Sequence, residues 1–339
     1  MTFRGVGAVL RVEFNGRELA RLRMAQGVDP LWEIAASLHR LQNRRAALVY
    51  DPWRREVGAA LERAGLLPAV RGLMLIFPAA TYFPDFLTPG CADPDLDAGV
   101  DKVLSTPRHR LAAELSRLYP GSPLPHGLRR LAEGDLDALR RLGSALRRYY
   151  ALAVAPYLPA IRAEVAADRA QRAEAALTGG AEGLLASYGV LPGWTCDGTA
   201  LRTPYPVRRE LRLRGRTLTL VPGFFCVRSP LALADEELPP VLVHPLSPTP
   251  GWLERSRPSE AAPPAAQLIG TSRAQLLQLL DRPMTTTGLA TALALAPSTT
   301  SRHTSVLREA GLLISRRQGG SVLHRRTALG EAVLEGALR

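Results

Sequence analysis

The sequence predicts an α+β protein, predominantly α-helical, built in two parts. Three observations predict it. Apolar residues recur at helical spacing through most of the first 180 residues, in runs opened by Asp-Pro or Thr-Pro and closed by glycine. Short alternating segments follow from about residue 191. A stretch dense in Pro, Ser and Ala over 248–266 reads as a linker. It separates residues 1–247, expected to be a helical and β-hairpin region for regulation or dimerisation, from residues 267–339, where helical periodicity resumes.

Residues 3–14 end in a β-favouring alternation, and Asn15-Gly16 marks a turn. Asp29-Pro30 precedes LWEIAASLHRL, and Asp51-Pro52 precedes WRREVGAALERAG. Each Asp suits a helix cap, and each Pro a first turn where no N–H is needed. Gly65 supplies a left-handed stop. Thr106-Pro107 opens a helix to about Tyr119. A further helical tract runs from Asp135 to about Leu177, broken at Pro156 and Pro159 and ended by Gly179-Gly180. RRELRL (208–213) and TLTLVP (217–222) flank Arg214-Gly215-Arg216 as a hairpin. Phe224-Phe225-Cys226 and VLVH (241–244) read as further strands.

Composition narrows the function. In 339 residues, 46% are apolar and 22% charged, enough to bury a core and unlike a disordered or fibrous chain. Basic side chains outnumber acidic ones 43 to 31, a net +12, and Lys102 is the only lysine. Such a surplus favours a polyanionic partner, nucleic acid or an anionic surface, over a generally basic protein with no such partner. Cys91, Cys196 and Cys226 are scattered, with no C-x-x-C pair, so neither a disulfide framework nor a thiolate zinc site is written. No apolar run approaches the ~18 residues of a membrane helix, and Met1–Phe14 lacks a signal-peptide core. A cytoplasmic protein without membrane attachment is expected.

Enzymatic signatures are missing. A phosphate-binding loop needs Gly-Lys-Ser/Thr, and the only lysine stands in Asp-Lys-Val. No G-x-S-x-G, H-E-x-x-H or dinucleotide fingerprint occurs, so no catalytic residue, cofactor or metal is assigned. Asp93, Asp95, Asp97 and Asp101 lack the Gly and Glu of a calcium loop and read as helix-start charges. His39, His109, His126 and His244 are isolated and read as structural.

The C-terminal residues are the most informative. TSRAQLLQLLD (271–281) is a helix capped by Thr271 or Ser272 and ended by Pro283. TTTGLATALAL (285–295) is a second, short helix. Pro297 opens a third, STTSRHTSVLREA, stopped at Gly311. LLISRR (312–317) and SVLHRR (321–326) alternate around Gln318-Gly319-Gly320 as a hairpin, and Thr327 caps a closing helix. Helix, turn, helix and basic hairpin make a winged helix-turn-helix.

On a helical wheel, Thr300, Thr304, Leu307 and Ala310 share one face, with His303 at its edge, while Ser298, Ser301, Arg302 and Ser305 lie opposite. The polar face suits a DNA major groove. Arg302 matches the O6/N7 edge of guanine, serines adapt to bases or phosphates, and Thr299 near the free N–H groups suits phosphate. Between 297 and 327 stand Arg302, Arg308, Arg316, Arg317, Arg325 and Arg326 against one acid, Glu309, a net +5. Residues 91–190, three times as many, carry only +1. The four wing arginines flank the Gly-Gly tip, where they can straddle backbone phosphates or probe the minor groove. His324, in the wing hairpin, is read as phosphate-facing.

Here the sequence resembles the ArsR-type winged-helix regulators. LATALALAPSTTSRHTSVLREAGLL (289–313) is similar to that family's second helix, turn and recognition helix in register, carried by Ser301, Arg302 and His303 and then VLREAGL. The resemblance covers about the last 70 residues. Over residues 1–250 there is a looser likeness to longer regulators with a helical sensory region before this domain. It implies double-stranded DNA as partner, transcriptional control and a homodimer on a dyad operator. Two departures stand out: Ala296 occupies the usual Ser cap position, and Thr300 and Thr304 replace large aliphatics. The family's metal sensors use Cys, His or carboxylate clusters, and no Cys follows Cys226, so thiolate metal sensing is not supported.

In the first half, LIFPAATYFPDFLTPG (75–90) is the most functional-looking stretch. Phe77, Tyr82, Phe83 and Phe86 suit an apolar pocket for a small-molecule effector, joined by Trp32, Trp53 and Trp194; alternatively they weld helices together. The expected function is a sequence-specific DNA-binding transcriptional regulator, not an enzyme. The alternatives are an enzyme or a protein-interaction module in which the winged helix serves docking.

Overall fold

The computed structural model describes residues 8–80, 82–89, 95–256, 264–281, 283–293, 295–318 and 321–335. It divides into two compact units, residues 1–256 and 257–339.

The first unit is an assembly of helices with two small sheets. Its helices include Pro30–Gln42, Ala47–Arg63, Leu67–Ile76, Leu96–Leu104, Arg108–Leu118, Leu136–Ala153 and Leu158–Ala186. Pro30–Gln42 starts as its sequence dictates: the Asp29 carboxylate accepts from the Leu31 and Trp32 N–H groups, with Pro30 in the first turn. This helix is buried on nearly every side. Tyr50, Trp53, Phe77, Phe86, Tyr149, Phe224 and Phe225 fill the core around it. Two polar contacts fix the packing: Trp53 Nε1 donates to the Ala153 carbonyl at 3.0 Å, and Tyr149 donates to Ser37 Oγ at 3.0 Å.

Several expectations need correction. Asp51 does not cap a helix. The chain enters Ala47–Arg63 through Ala46, at φ 52°, and Pro52 lies inside the helix. The carbonyl that Pro52 leaves without a helical donor belongs to Leu48, which is exposed, so water can serve it. Gly65, at φ 62°, stops the helix as expected. The helical tract after Asp135 breaks at a short 3₁₀ turn, Ala155–Tyr157, and Leu158–Ala186 is interrupted at Gly179 and Gly180 but resumes beyond them.

The segments 208–213 and 217–222 are not a hairpin. Arg209–Leu211 runs parallel to Val9–Glu13, in a sheet ordered Thr195–Cys196, Ala200–Pro204, Val9–Glu13, Arg209–Leu211. Thr219–Gly223 runs parallel to Val241–Pro245 in a different sheet, beside Arg23–Met24. Arg214 and Gly215 both have positive φ, but the chain leaves one sheet for the other there. Leu211, Leu213, Leu218 and Leu220 all gain burial in one core that spans both sheets. Nor is Phe224-Phe225-Cys226 a strand. Instead, the Phe224 and Phe225 N–H groups donate to the Glu33 carboxylate at 2.7 and 3.1 Å. Burial pushes that carboxyl up to about 7 against those two hydrogen bonds.

His244 is structural, as read, but not isolated. Its Nε2 lies 2.9 Å from Asp168, which also pairs with Arg172, whose guanidinium stacks on Tyr188. Burial holds the imidazole below its usual pKa, against the pull of Asp168. At the end of the unit, Trp252–Ser256 is helical, Trp252 is buried among the core aromatics, and its Nε1 donates to the Val49 carbonyl.

The second unit comprises the helices Pro264–Ile269, Thr271–Leu279, Thr286–Ala292, Pro297–Glu309 and Ala328–Glu335, with a three-stranded sheet ordered Leu313–Gln318, Ser321–Arg326, Met284–Thr285. Neither Thr271 nor Ser272 caps the first long helix: Gly270, at φ 86°, stands at the cap with no side-chain bond. Thr285 caps Thr286–Ala292 by accepting from Gly288 N–H. Leu276, Leu277, Leu280, Leu289, Leu307, Leu312 and Leu313 form the core. Gly311, at φ 72°, ends Pro297–Glu309 and turns the chain into the first wing strand. Gly319 and Gly320 lie outside the described residues.

Candidate nucleic-acid interface

The helix Pro297–Glu309 presents its faces almost as its sequence reads. Thr300, Thr304 and Leu307 are buried, while Ser298, Ser301, Arg302 and Arg308 are exposed and Thr299 and Ser305 half-exposed. Both buried threonines satisfy themselves locally: Thr300 Oγ1 donates to the Ala296 carbonyl and Thr304 Oγ1 to the Ser301 carbonyl. That is how a hydroxyl stands where a large aliphatic was expected without an unpaired buried group. Ala310 departs from the expected face and is exposed, because the helix has ended and Ala310 is its terminal cap. His303 is half-buried, packed at the edge.

The start of this helix has no side-chain cap. Ala296 offers none, Pro297 has no N–H, and Thr300 N–H already bonds the Ala296 carbonyl. The Ser298 and Thr299 N–H groups remain at the positive end of the helix dipole, beside the exposed serine face. Ser298 does not supply the missing cap.

The wing sorts its arginines by pleat. Ile314 pairs with Arg325 and Arg316 with Leu323, so these four side chains share one face of the hairpin. Leu313 pairs with Arg326, Ser315 with His324, and Arg317 with Val322, on the other. Arg316, Arg317 and Arg325 are exposed, and no carboxylate among the described residues pairs with them or with Arg302 or Arg308. Arg326 is different. Its guanidinium grips Glu331 through Nε and Nη2, at 2.5 and 2.9 Å, and donates from Nη1 to the Leu277 carbonyl at 2.9 Å. The DNA-binding role expected of Arg326 is therefore corrected: it ties the wing to the closing helix and to Thr271–Leu279.

His324 is corrected likewise. It does not face phosphate but is buried between Thr286 Oγ1 and Ser315 Oγ, each 2.8 Å from a ring nitrogen. Burial holds it below its usual pKa, and Arg308 adds to the effect. Thr286 opens the helix next to the third strand, Met284–Thr285, which pairs with Leu323 and His324. That strand is too short for periodicity to mark it; the run of threonines at 285–287 was the only signal.

The four aromatics of the first unit do not form one pocket. Phe77 and Phe86 are core residues with essentially no exposed surface. Trp53 packs on Phe225, and Trp194 stacks on Tyr188 in a separate core. Tyr82 and Phe83 do line a cleft, and Phe83 contacts Trp32 and His39 edge-on.

The second unit is a winged helix-turn-helix, a DNA-binding fold of transcription regulators. Residues 272–315 match the model of the bacterial regulatory protein arsR family, a match that runs from Ser272 through the helices Thr271–Leu279, Thr286–Ala292 and Pro297–Glu309 and ends inside the first wing strand. No curated protein and no solved structure matches the chain. Among the described residues, no helix is long and apolar enough to cross a membrane, and no cluster of His, Cys, Asp or Glu has the makings of a metal site.

Proposed function

We propose that this protein is a cytoplasmic, sequence-specific transcriptional regulator without enzymatic activity, acting as a homodimer. Pro297–Glu309 enters the major groove, with Arg302 reading a guanine edge and Ser298, Ser301 and Ser305 adapting around it. Thr299 and the free N–H groups at the helix start take a phosphate. Arg308, Arg316, Arg317 and Arg325 hold the backbone or reach into the minor groove. A two-fold dimer sets the two recognition helices about one turn apart, ~34 Å, over an inverted repeat. Residues 1–256 dimerise or sense an effector.

The observation that carries this reading is the exposed, unpaired set of guanidiniums beside a serine-lined helix face. Five exposed guanidiniums that no carboxylate among the described residues pairs with create a positive potential that favours a polyanion. Sequencing the duplexes that the protein retains from a random pool tests it. Enrichment of a dyad motif supports both sequence reading and the dimer. A motif without a dyad overturns the dimer, and no enrichment overturns base reading.

A further inference from the structure

The helix Pro30–Gln42 carries a buried group for which the described residues of the first unit supply no counterpart. Arg40 is only 6% exposed, yet its Nε and Nη1 have no hydrogen-bond partner. Arginine stays protonated inside a protein, so its charge cannot be relieved by losing a proton. The titratable groups that would favour its charge are the Cys226 thiol and the Tyr50 phenol. Burial pushes Cys226 up to about 12 and Tyr50 upward as well, so neither is an anion at neutral pH. Arg45 and Arg54 add positive field at the same place. Burying a cation without a partner is unfavourable unless something pairs with it.

Arg40 lines a cleft of about 170 Å³ within the first unit. This is close to the ~150 Å³ that accommodates one benzene ring. Ala36, Phe83, Phe225 and Leu231 give it apolar walls. Asp85, a carboxylate on the cleft, is already occupied, accepting from the Ala234 and Asp235 N–H groups at 2.8 and 2.7 Å. Arg209, also on the cleft, donates to the Leu233 carbonyl and to the Tyr205 hydroxyl. Arg40 is thus the buried cation left for a ligand. His39, beside it and equally buried, has an unpartnered Nε2 on the same cleft.

We propose that this cleft binds a small aromatic monocarboxylate, its carboxylate on the Arg40 guanidinium and its ring against Phe83 and Leu231. One buried positive charge matches one negative charge, and the volume matches one ring. As an effector site this deepens the regulator reading above and rests on it; as a ligand site it stands alone.

Calorimetry on the full chain tests it, with benzoate and phenylacetate as probes and benzamide and inorganic phosphate for comparison. Saturable one-to-one binding of at least one of the two acids is expected, with benzamide at least tenfold weaker and phosphate weaker still. Arg40→Met should weaken the acid at least tenfold and melt no lower than the parent, because it removes an uncompensated charge. A merely structural arginine would instead lower the melting temperature. Lack of binding by both acids, equal binding of acid and amide, tighter binding of phosphate, or an Arg40→Met variant that binds as the parent does would each overturn the proposal. If that variant does not fold, the acid-against-amide comparison on the parent decides. DNA binding is measured separately without ligand. Its loss removes the regulator reading and leaves the cleft, whereas absent carboxylate binding removes the cleft and leaves the regulator.

Discussion

Arg325 and Arg326 are neighbours in sequence and opposites in role. The pleat turns one outward and sends the other onto Glu331 and the Leu277 carbonyl. Charge counting cannot separate them, because Glu331 meets Arg326 only when the closing helix folds back. Neutralising Arg316 and Arg325 together should weaken binding to all duplexes and flatten the salt dependence by up to about two units. Arg326→Ala should leave that slope alone and cost the folded domain about 1–3 kcal/mol in chemical denaturation. If Arg326→Ala flattens the slope without a loss of stability, the assignment reverses. Arg302→Ala belongs to a third kind: a loss of about 1–3 kcal/mol on the selected duplex, with base preference relaxed at one position. Equal loss on random DNA removes Arg302 from base reading.

At the scale of elements, the recognition helix was legible and the third wing strand was not. The helix announces itself locally, through Pro297, a 3.6-residue alternation of Thr300, Thr304 and Leu307, and Gly311. Met284–Thr285 becomes a strand only because Leu323 and His324 come alongside it. His324 then bolts strand to helix through Thr286. Its folded pKa is depressed, so the unfolded chain binds the proton more tightly. The stabilisation from this residue is complete above the unfolded value near 6.5 and is lost as pH falls through the depressed one. Thermal melts of the parent and of His324→Gln should therefore converge on acidification below 6.5. A gap independent of pH would mean that the ring is not neutral in the folded wing.

Across the whole molecule, what the sequence hides is pairing over long separations. Val9–Glu13 lies between Ala200–Pro204 and Arg209–Leu211, some two hundred residues later in the chain. A hairpin is the natural guess for two adjacent strands, but no local signal reveals that a parallel partner near the N-terminus has claimed one of them. The charge surplus of the second unit, by contrast, was readable: residues 257–339 hold ten arginines against five carboxylates. Deleting residues 1–14 should remove an internal strand of its sheet and uncover Leu201 and Leu211. Near-UV circular dichroism of that variant should show lost tertiary signal; a native spectrum would make the strand dispensable.

The uncapped start of Pro297–Glu309 has a consequence for anyone improving this protein. Ala296→Asp is the obvious repair, since a carboxylate there would accept the two idle N–H groups and harden the fold. It would also sit where a nucleic-acid oxygen is expected to dock, with the same sign of charge. A screen for heat resistance would collect this change, and the sturdier protein would have given up part of its grip on the operator.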